Sequence, residues 1–191
     1  MSWTALIPLK QEGERKGRLA ARLAPDERAR LSRSMFDHVV RKLTATPGIG
    51  RITLLAPIAP EGWRHAWIRD EGRGLNEELA AFRAIEISGN LLIIHADLPL
   101  LARSDVEAAL IAAAASGVAI APDRHDRGTN ALALTAGAAM QLRFGVDSFE
   151  QHLGQAPEAA VLRREGLALD IDTPEDFELA AAAGFDLRSE G

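Results

Sequence analysis

The chain has no cysteine among its 191 residues, which removes disulfides, thiolate metal sites and cysteine nucleophiles at once. It is also short of cations, with 22 Lys and Arg against 27 Asp and Glu and a net charge of −5. That balance argues against a general nucleic-acid or anionic-membrane partner, although a small local basic cluster could still hold phosphates. No apolar run reaches the length of a membrane span, and the start, MSWTALIPLK, has neither a charged leader nor a cleavage-site pattern. The expected compartment is the cytoplasm. His38, His95, His125 and His152 fall at no metal-ligand spacing and are read as structural or supporting groups. Also missing are the GxxxxGK phosphate loop ending in Ser or Thr, the GxGxxG of dinucleotide folds, any internal repeat, and any linker or low-complexity stretch.

What remains is an ordinary globular composition, nearly half hydrophobic and a quarter charged. The length fits one domain spanning residues 1–191. Short apolar runs are expected as strands at Thr4 to Leu9, Ile52 to Ala56, Ala66 to Arg69, Leu91 to Ile94, Val118 to Ala121, Ala131 to Leu134 and Leu167 to Ile171. Between them lie helical patterns. One opens at Pro25, Asp26 and Glu27 and carries Leu31, Met35, Val39, Val40 and Leu43 on one face. Others run from Leu75 to Ile85, from Ser104 to Ala115, through Gln151 to Leu153, and from Pro174 to before Gly184. Strands alternating with helices predict an α/β sandwich of three layers, Rossmann-like, with a mostly parallel central sheet. The apolar helix faces are accounted for by this core. No dimer face stands out, so the oligomeric state stays open between monomer and homodimer.

The chain is organised around LLIIHADLPLL, Leu91 to Leu101. Four aliphatic residues in a row read as a strand buried on both faces, and Pro99 ends it near Asp97. A carboxylate at the carboxyl end of a central strand stands where open α/β sheets bind ligands; the alternative is a helix cap. In LALDIDTPED, Asp170 and Asp172 alternate with Leu169 and Ile171 and so share one face at strand spacing. With Asp97 they would form a hard-oxygen site suited to Mg2+, unless Asp172 or Thr173 only caps the last helix. After the first strand, Lys10, Arg15, Lys16 and Arg18 gather around Gly13 and Gly17, a loop fit for a polyphosphate or simply a solvated surface. Gly128, Thr129 and Asn130, and Gly145 with Ser148, pair glycine and hydroxyl beside a strand or helix start. Such places hold small anions, though they are also common turns, and Arg124 and Arg127 could add charge. Asn76, in GLN, could read a base edge or ribose, or cap its helix.

The order IPLK, KGRLA, GLN, ADLPLL, APDRHDRGTNALAL, FGVDSFEQH and LALDIDTPED, from Ile7 to about Ala180, resembles the 2-phospho-L-lactate guanylyltransferase family of coenzyme F-420 biosynthesis. The resemblance implies a nucleotidyltransferase fold, like that of nucleotide-diphospho-sugar transferases. It also implies a reaction between GTP and a phosphorylated three-carbon acid, with pyrophosphate released. By matching motifs, Lys10, Lys16 and Arg18 would hold the triphosphate and Asn76 would lie near guanine and ribose. Asp97 with Asp170 or Asp172 would bind magnesium, while Thr129, Gly145 and Ser148 would hold the acceptor's phosphate. The chain departs from the family in its first loop, where Gly17 stands in place of a usual serine and Glu12, Glu14 and Arg15 add charge. Members differ in acceptor among 2-phospho-L-lactate, phosphoenolpyruvate and 3-phospho-D-glycerate. Competing readings are a molybdopterin or sugar-phosphate nucleotidyltransferase of the same fold, and a nucleotide-binding protein without catalysis.

Overall fold

The computed structural model describes residues 1–9, 17–86 and 89–186. In its first half stand strand β1 (Trp3–Pro8), helix α1 (Pro25–Thr44), strands β2 (Ile49–Ala56) and β3 (Ala66–Arg69), and helix α2 (Leu75–Glu86). Strand β4 (Asn90–Ile94) and helix α3 (Arg103–Ser116) follow. The second half holds β5 (Val118–Pro122), β6 (Thr129–Leu134), α4 (Ser148–Gln155), the two-residue β7 (Ala160–Val161), the helical turn α5 (Glu165–Ala168) and α6 (Pro174–Ala182). No described helix is long and apolar enough to cross a membrane.

The strands make one sheet in the order β3-β2-β1-β4-β6-β5-β7. Pairing is parallel for β1 with β2 and β4, for β2 with β3, and for β5 with β7. Strand β6 alone runs against both its neighbours. Its reversal matters for the site, because it brings the amino end of β6 to the edge where β1, β4 and β5 end. The ladder continues past β4, with His95 N–H donating to the Asn130 carbonyl at 2.9 Å.

Leu91 to Ile94 are all at most 1% exposed and alternate between two cores, as a strand covered on both faces must. Leu92 and Ile94 pack with Phe36, Val39, Val106 and Leu110 under α1 and α3. Leu91 and Ile93 pack with Leu79, Phe82, Phe144 and Phe149 on the other face. A third, smaller cluster joins Leu31 and Met35 of α1 to Leu169, Ile171 and Ala180.

One expected strand is corrected. Leu167 to Ile171 is not a strand: Glu165–Ala168 is a helical turn, the chain beyond it is irregular, and the last strand is Ala160–Val161. The cause is tertiary. Arg164 donates to the Asp105 carboxylate on α3 at 2.6 Å, and Gly166 lies against the Leu100 carbonyl so closely that a Cβ would meet it at 2.7 Å. The alternation survives without a ladder. Leu169 and Ile171 are buried while Asp170 is half-buried and Asp172 exposed.

Candidate active site

A cleft of about 680 Å³ opens at the sheet edge, within the size range of small-molecule sites. Pro8 and Leu9 at the end of β1, His95 to Asp97 beyond β4, Asp123 after β5 and Gly128 to Asn130 at the start of β6 all line it. This is the carboxyl-end edge where open α/β sheets place ligands, with β6 contributing its amino end because it is reversed.

Asp97, Asp170 and Asp172 meet here. One carboxylate oxygen from each lies within 4.8 Å of the others. Among the described contacts that hold the group, Ile171 N–H donates to the Asp97 carbonyl at 3.3 Å, and the Asn130 amide donates to Asp170 Oδ1 at 3.1 Å. Asn130 also donates to the Leu167 and Ala168 carbonyls, so it ties β6 to the segment that carries two of the acids. Asp172 is not the cap of α6; Thr173 is, its hydroxyl paired with the Asp176 carboxylate and main chain. Burial would raise the Asp176 carboxyl, yet Thr173, the Asp172 N–H and the Arg124 guanidinium together hold it below the ordinary carboxylate range. A set of oxygen donors at this spacing fits a hard divalent cation. Opposite ligands of magnesium stand about 4.2 Å apart.

The other named residues form a second part of the cleft. Thr129 and Ser148 are each 1% exposed and, with Gly145, line it. Ser148 begins α4, after a turn in which Gly145 (φ +121°) and Asp147 (φ +53°) take left-handed conformations. No described residue hydrogen-bonds the Ser148 hydroxyl. A buried hydroxyl in that state costs free energy, which a ligand oxygen at the helix amino terminus would relieve. The Thr129 hydroxyl lies 3.0 Å from His152 Nδ1.

Several expectations are relocated. Asn76 does not line the cleft: its amide donates to the Phe144 carbonyl at 3.0 Å and accepts from the Phe144 N–H at 2.8 Å. These two bonds hold the main chain next to Gly145, and the Asn76 side chain keeps a second N–H and a second lone pair. Arg124 and Arg127 are ion-paired, to Asp176 and to Asp147. Arg18 stands exposed on the 3-10 turn Gly17–Leu19. Lys10 and Lys16, with Arg15, lie outside the described residues.

Reading the sequence missed the groups that shape the cleft's loops. Glu78, 2% exposed, accepts from the Glu71 and Arg73 N–H groups and from the Arg73 guanidinium. It thereby fixes the turn that sends Asp70, Gly72 and Gly74 into the cleft. Asp123 accepts from the N–H groups of His125, Arg127 and Gly128. An acidic residue inside a polar run carries no sequence mark of this use.

The family model described as guanylyl transferase CofC like matches residues 3–187. A phosphoenolpyruvate guanylyltransferase from Sphaerobacter thermophilus is 41% identical, over 93% of this chain and 92% of that one. A 2-phospho-L-lactate guanylyltransferase from Methanopyrus kandleri is 30% identical, over 94% and 91%. In fold, a crystal structure from Desulfovibrio desulfuricans G20, described as a nucleotide-diphospho-sugar transferase, matches with a TM-score of 0.72. It is 20% identical and aligns over 94% of this chain and 86% of that one.

Proposed function

The chain belongs to the guanylyl transferase CofC-like family, and from that premise we propose that it transfers GMP from GTP to a phosphorylated three-carbon acid. The observation that carries the reading is one cleft with two unlike parts. Asp97, Asp170 and Asp172 suit a cation on the nucleotide's phosphates; Thr129, Gly145 and the unsatisfied Ser148 hydroxyl suit the acceptor's phosphate. Phosphoenolpyruvate is the favoured acceptor, because the relative bearing that name is 41% identical and the 2-phospho-L-lactate enzyme 30%.

A phosphate oxygen of the acid attacks the α-phosphorus of GTP. The bond from that phosphorus to the αβ-bridging oxygen breaks, and pyrophosphate leaves with the electron pair. The acceptor's phosphate is already ionised near neutral pH, so no general base and no covalent enzyme intermediate are needed. Catalysis is positioning and charge stabilisation. Asp97 with Asp170 or Asp172 would hold magnesium, which would supply positive charge against the negative charge that grows on the leaving group. Lys10, Lys16 and Arg18 are assigned to the triphosphate. The product, an acid joined to GMP through a diphosphate, suits assembly of the deazaflavin coenzyme F-420, with the cytoplasm as the source of both substrates.

Pyrophosphate release with GTP and each of phosphoenolpyruvate, 2-phospho-L-lactate and 3-phospho-D-glycerate tests the reading, with ATP and CTP as controls. Release is expected only when GTP and an acid are both present, and most rapidly with phosphoenolpyruvate. Equal turnover with ATP or CTP would remove the guanylyl assignment. Asp97→Asn should lower kcat about 10²- to 10³-fold, as loss of one group stabilising transition-state charge does, with an unchanged circular dichroism spectrum. Full activity in that variant would sink the metal assignment.

A further inference from the structure

His152 is fully buried on α4, and both its ring nitrogens are engaged. Nε2 accepts from the Arg143 N–H at 3.0 Å. A main-chain N–H can only donate, so Nε2 carries no proton. A neutral imidazole then has its proton on Nδ1, which faces the Thr129 hydroxyl at 3.0 Å. Burial keeps the ring neutral by lowering its pKa to about 4. Thr129 Oγ1 is therefore an acceptor toward His152, and its own proton must be directed elsewhere. Thr129 lines the cleft.

We propose that His152 is a positioning residue for the acceptor: its Nδ1–H fixes the Thr129 hydroxyl as a hydrogen-bond donor toward the acceptor's phosphate. A threonine hydroxyl is otherwise free to rotate and to present a lone pair, which would repel an anion. The same ring holds Arg143, adjacent to Phe144, whose main chain Asn76 clamps. Phe144 also packs edge-on against the His152 ring, centroids 5.0 Å apart. One side chain thus links β6 to the Arg143–Gly145 segment, on two sides of the acceptor's site. The inference rests on reading Thr129 as an acceptor ligand.

The two hydrogen bonds can be separated by substitution. In His152→Asn the amide reaches the Nδ1 position and can still donate to Thr129. In His152→Gln it reaches the Nε2 position, keeping an acceptor for Arg143 and losing the donor. Steady-state kinetics should show the KM for phosphoenolpyruvate raised about 10- to 100-fold in His152→Gln, the worth of one hydrogen bond to a charged group. His152→Asn should bring that KM back toward the wild-type value, and the KM for GTP should stay unchanged in both. In a Thr129→Val background, His152→Gln should add nothing further to the acceptor KM. A larger defect in His152→Asn than in His152→Gln, an equal rise in both KM values, or additive effects with Thr129→Val would overturn the proposal. Nitrogen-15 imidazole spectra of the wild-type protein give a readout independent of turnover. An Nδ1–H tautomer is expected at pH 7, and an Nε2–H tautomer overturns the proposal. A wild-type protein that releases no pyrophosphate with any of the acids defeats the functional reading and with it the acceptor's part in this one, whereas an Nε2–H tautomer in an active protein defeats this proposal alone.

Discussion

A buried polar atom costs free energy unless it is satisfied, and Ser148 and Glu78 are opposite cases. The Ser148 hydroxyl has no described partner, as suits a group waiting for a ligand. The Glu78 carboxylate, equally enclosed, accepts from the Glu71 and Arg73 N–H groups and the Arg73 guanidinium, and its pKa falls to about 2, chiefly through the Arg73 side-chain hydrogen bond. The ordinary value is 4.5, so the folded value is depressed. The stabilisation from Glu78 should be fully present above about pH 4.5 and fade as the pH falls toward 2. Glu78→Gln should accordingly lower stability by about 2 kcal/mol at pH 7, and urea unfolding at pH 7 and pH 3 should show the gap to wild type closing. A gap that does not depend on pH would mean that the charge is irrelevant and only shape matters.

At the scale of elements, the helical turn α5 decides where two of the three acids stand. Leu169 and Ile171 are pulled into the cluster with Leu31, Met35 and Ala180, and Asp170 and Asp172, at alternate positions, are turned to the cleft. The chain reaches that course only because Gly166 passes close to Leu100 and Asp105. In Gly166→Ala the new Cβ would meet the Leu100 carbonyl at 2.7 Å, and a main-chain atom cannot swing aside. The expected cost is about 1–3 kcal/mol, in the range of overpacked interiors, with a fall in kcat because the Asp170–Asp172 segment shifts. An unchanged thermal midpoint and unchanged kcat would show that α5 can move without consequence.

For the whole molecule, one sheet carries a core on each face and its edge forms the cleft, so fold and site should be lost together. Trp3 is buried in β1 and Trp63 packs against Phe36 of α1. Tryptophan fluorescence therefore reports on one end of the sheet, while far-ultraviolet circular dichroism reports on every helix. The two should follow a single coincident transition in urea. GTP with magnesium at 100 times its Kd should raise the unfolding free energy by about 2.7 kcal/mol through linkage. Two separated transitions would divide the chain into independently folding parts.

Sequence alone determined the α/β sandwich and singled out Asp97, Asp170 and Asp172 as a group that could meet at its edge. Four aliphatic residues before His95, stopped by Pro99, read as a strand covered on both sides, and the alternation of Leu169 and Ile171 with Asp170 and Asp172 holds whether or not a ladder forms. Local periodicity carries that much because burial acts residue by residue. Partnership was decided by the tertiary structure. The reversal of β6, the helical turn in place of a last strand, the use of Asn76 on Phe144, and the His152 bridge from Thr129 to Arg143 each depend on atoms far apart in the chain. Hydrogen bonds are satisfied in space, and a polar residue's neighbours in sequence do not say which distant donor or acceptor will claim it.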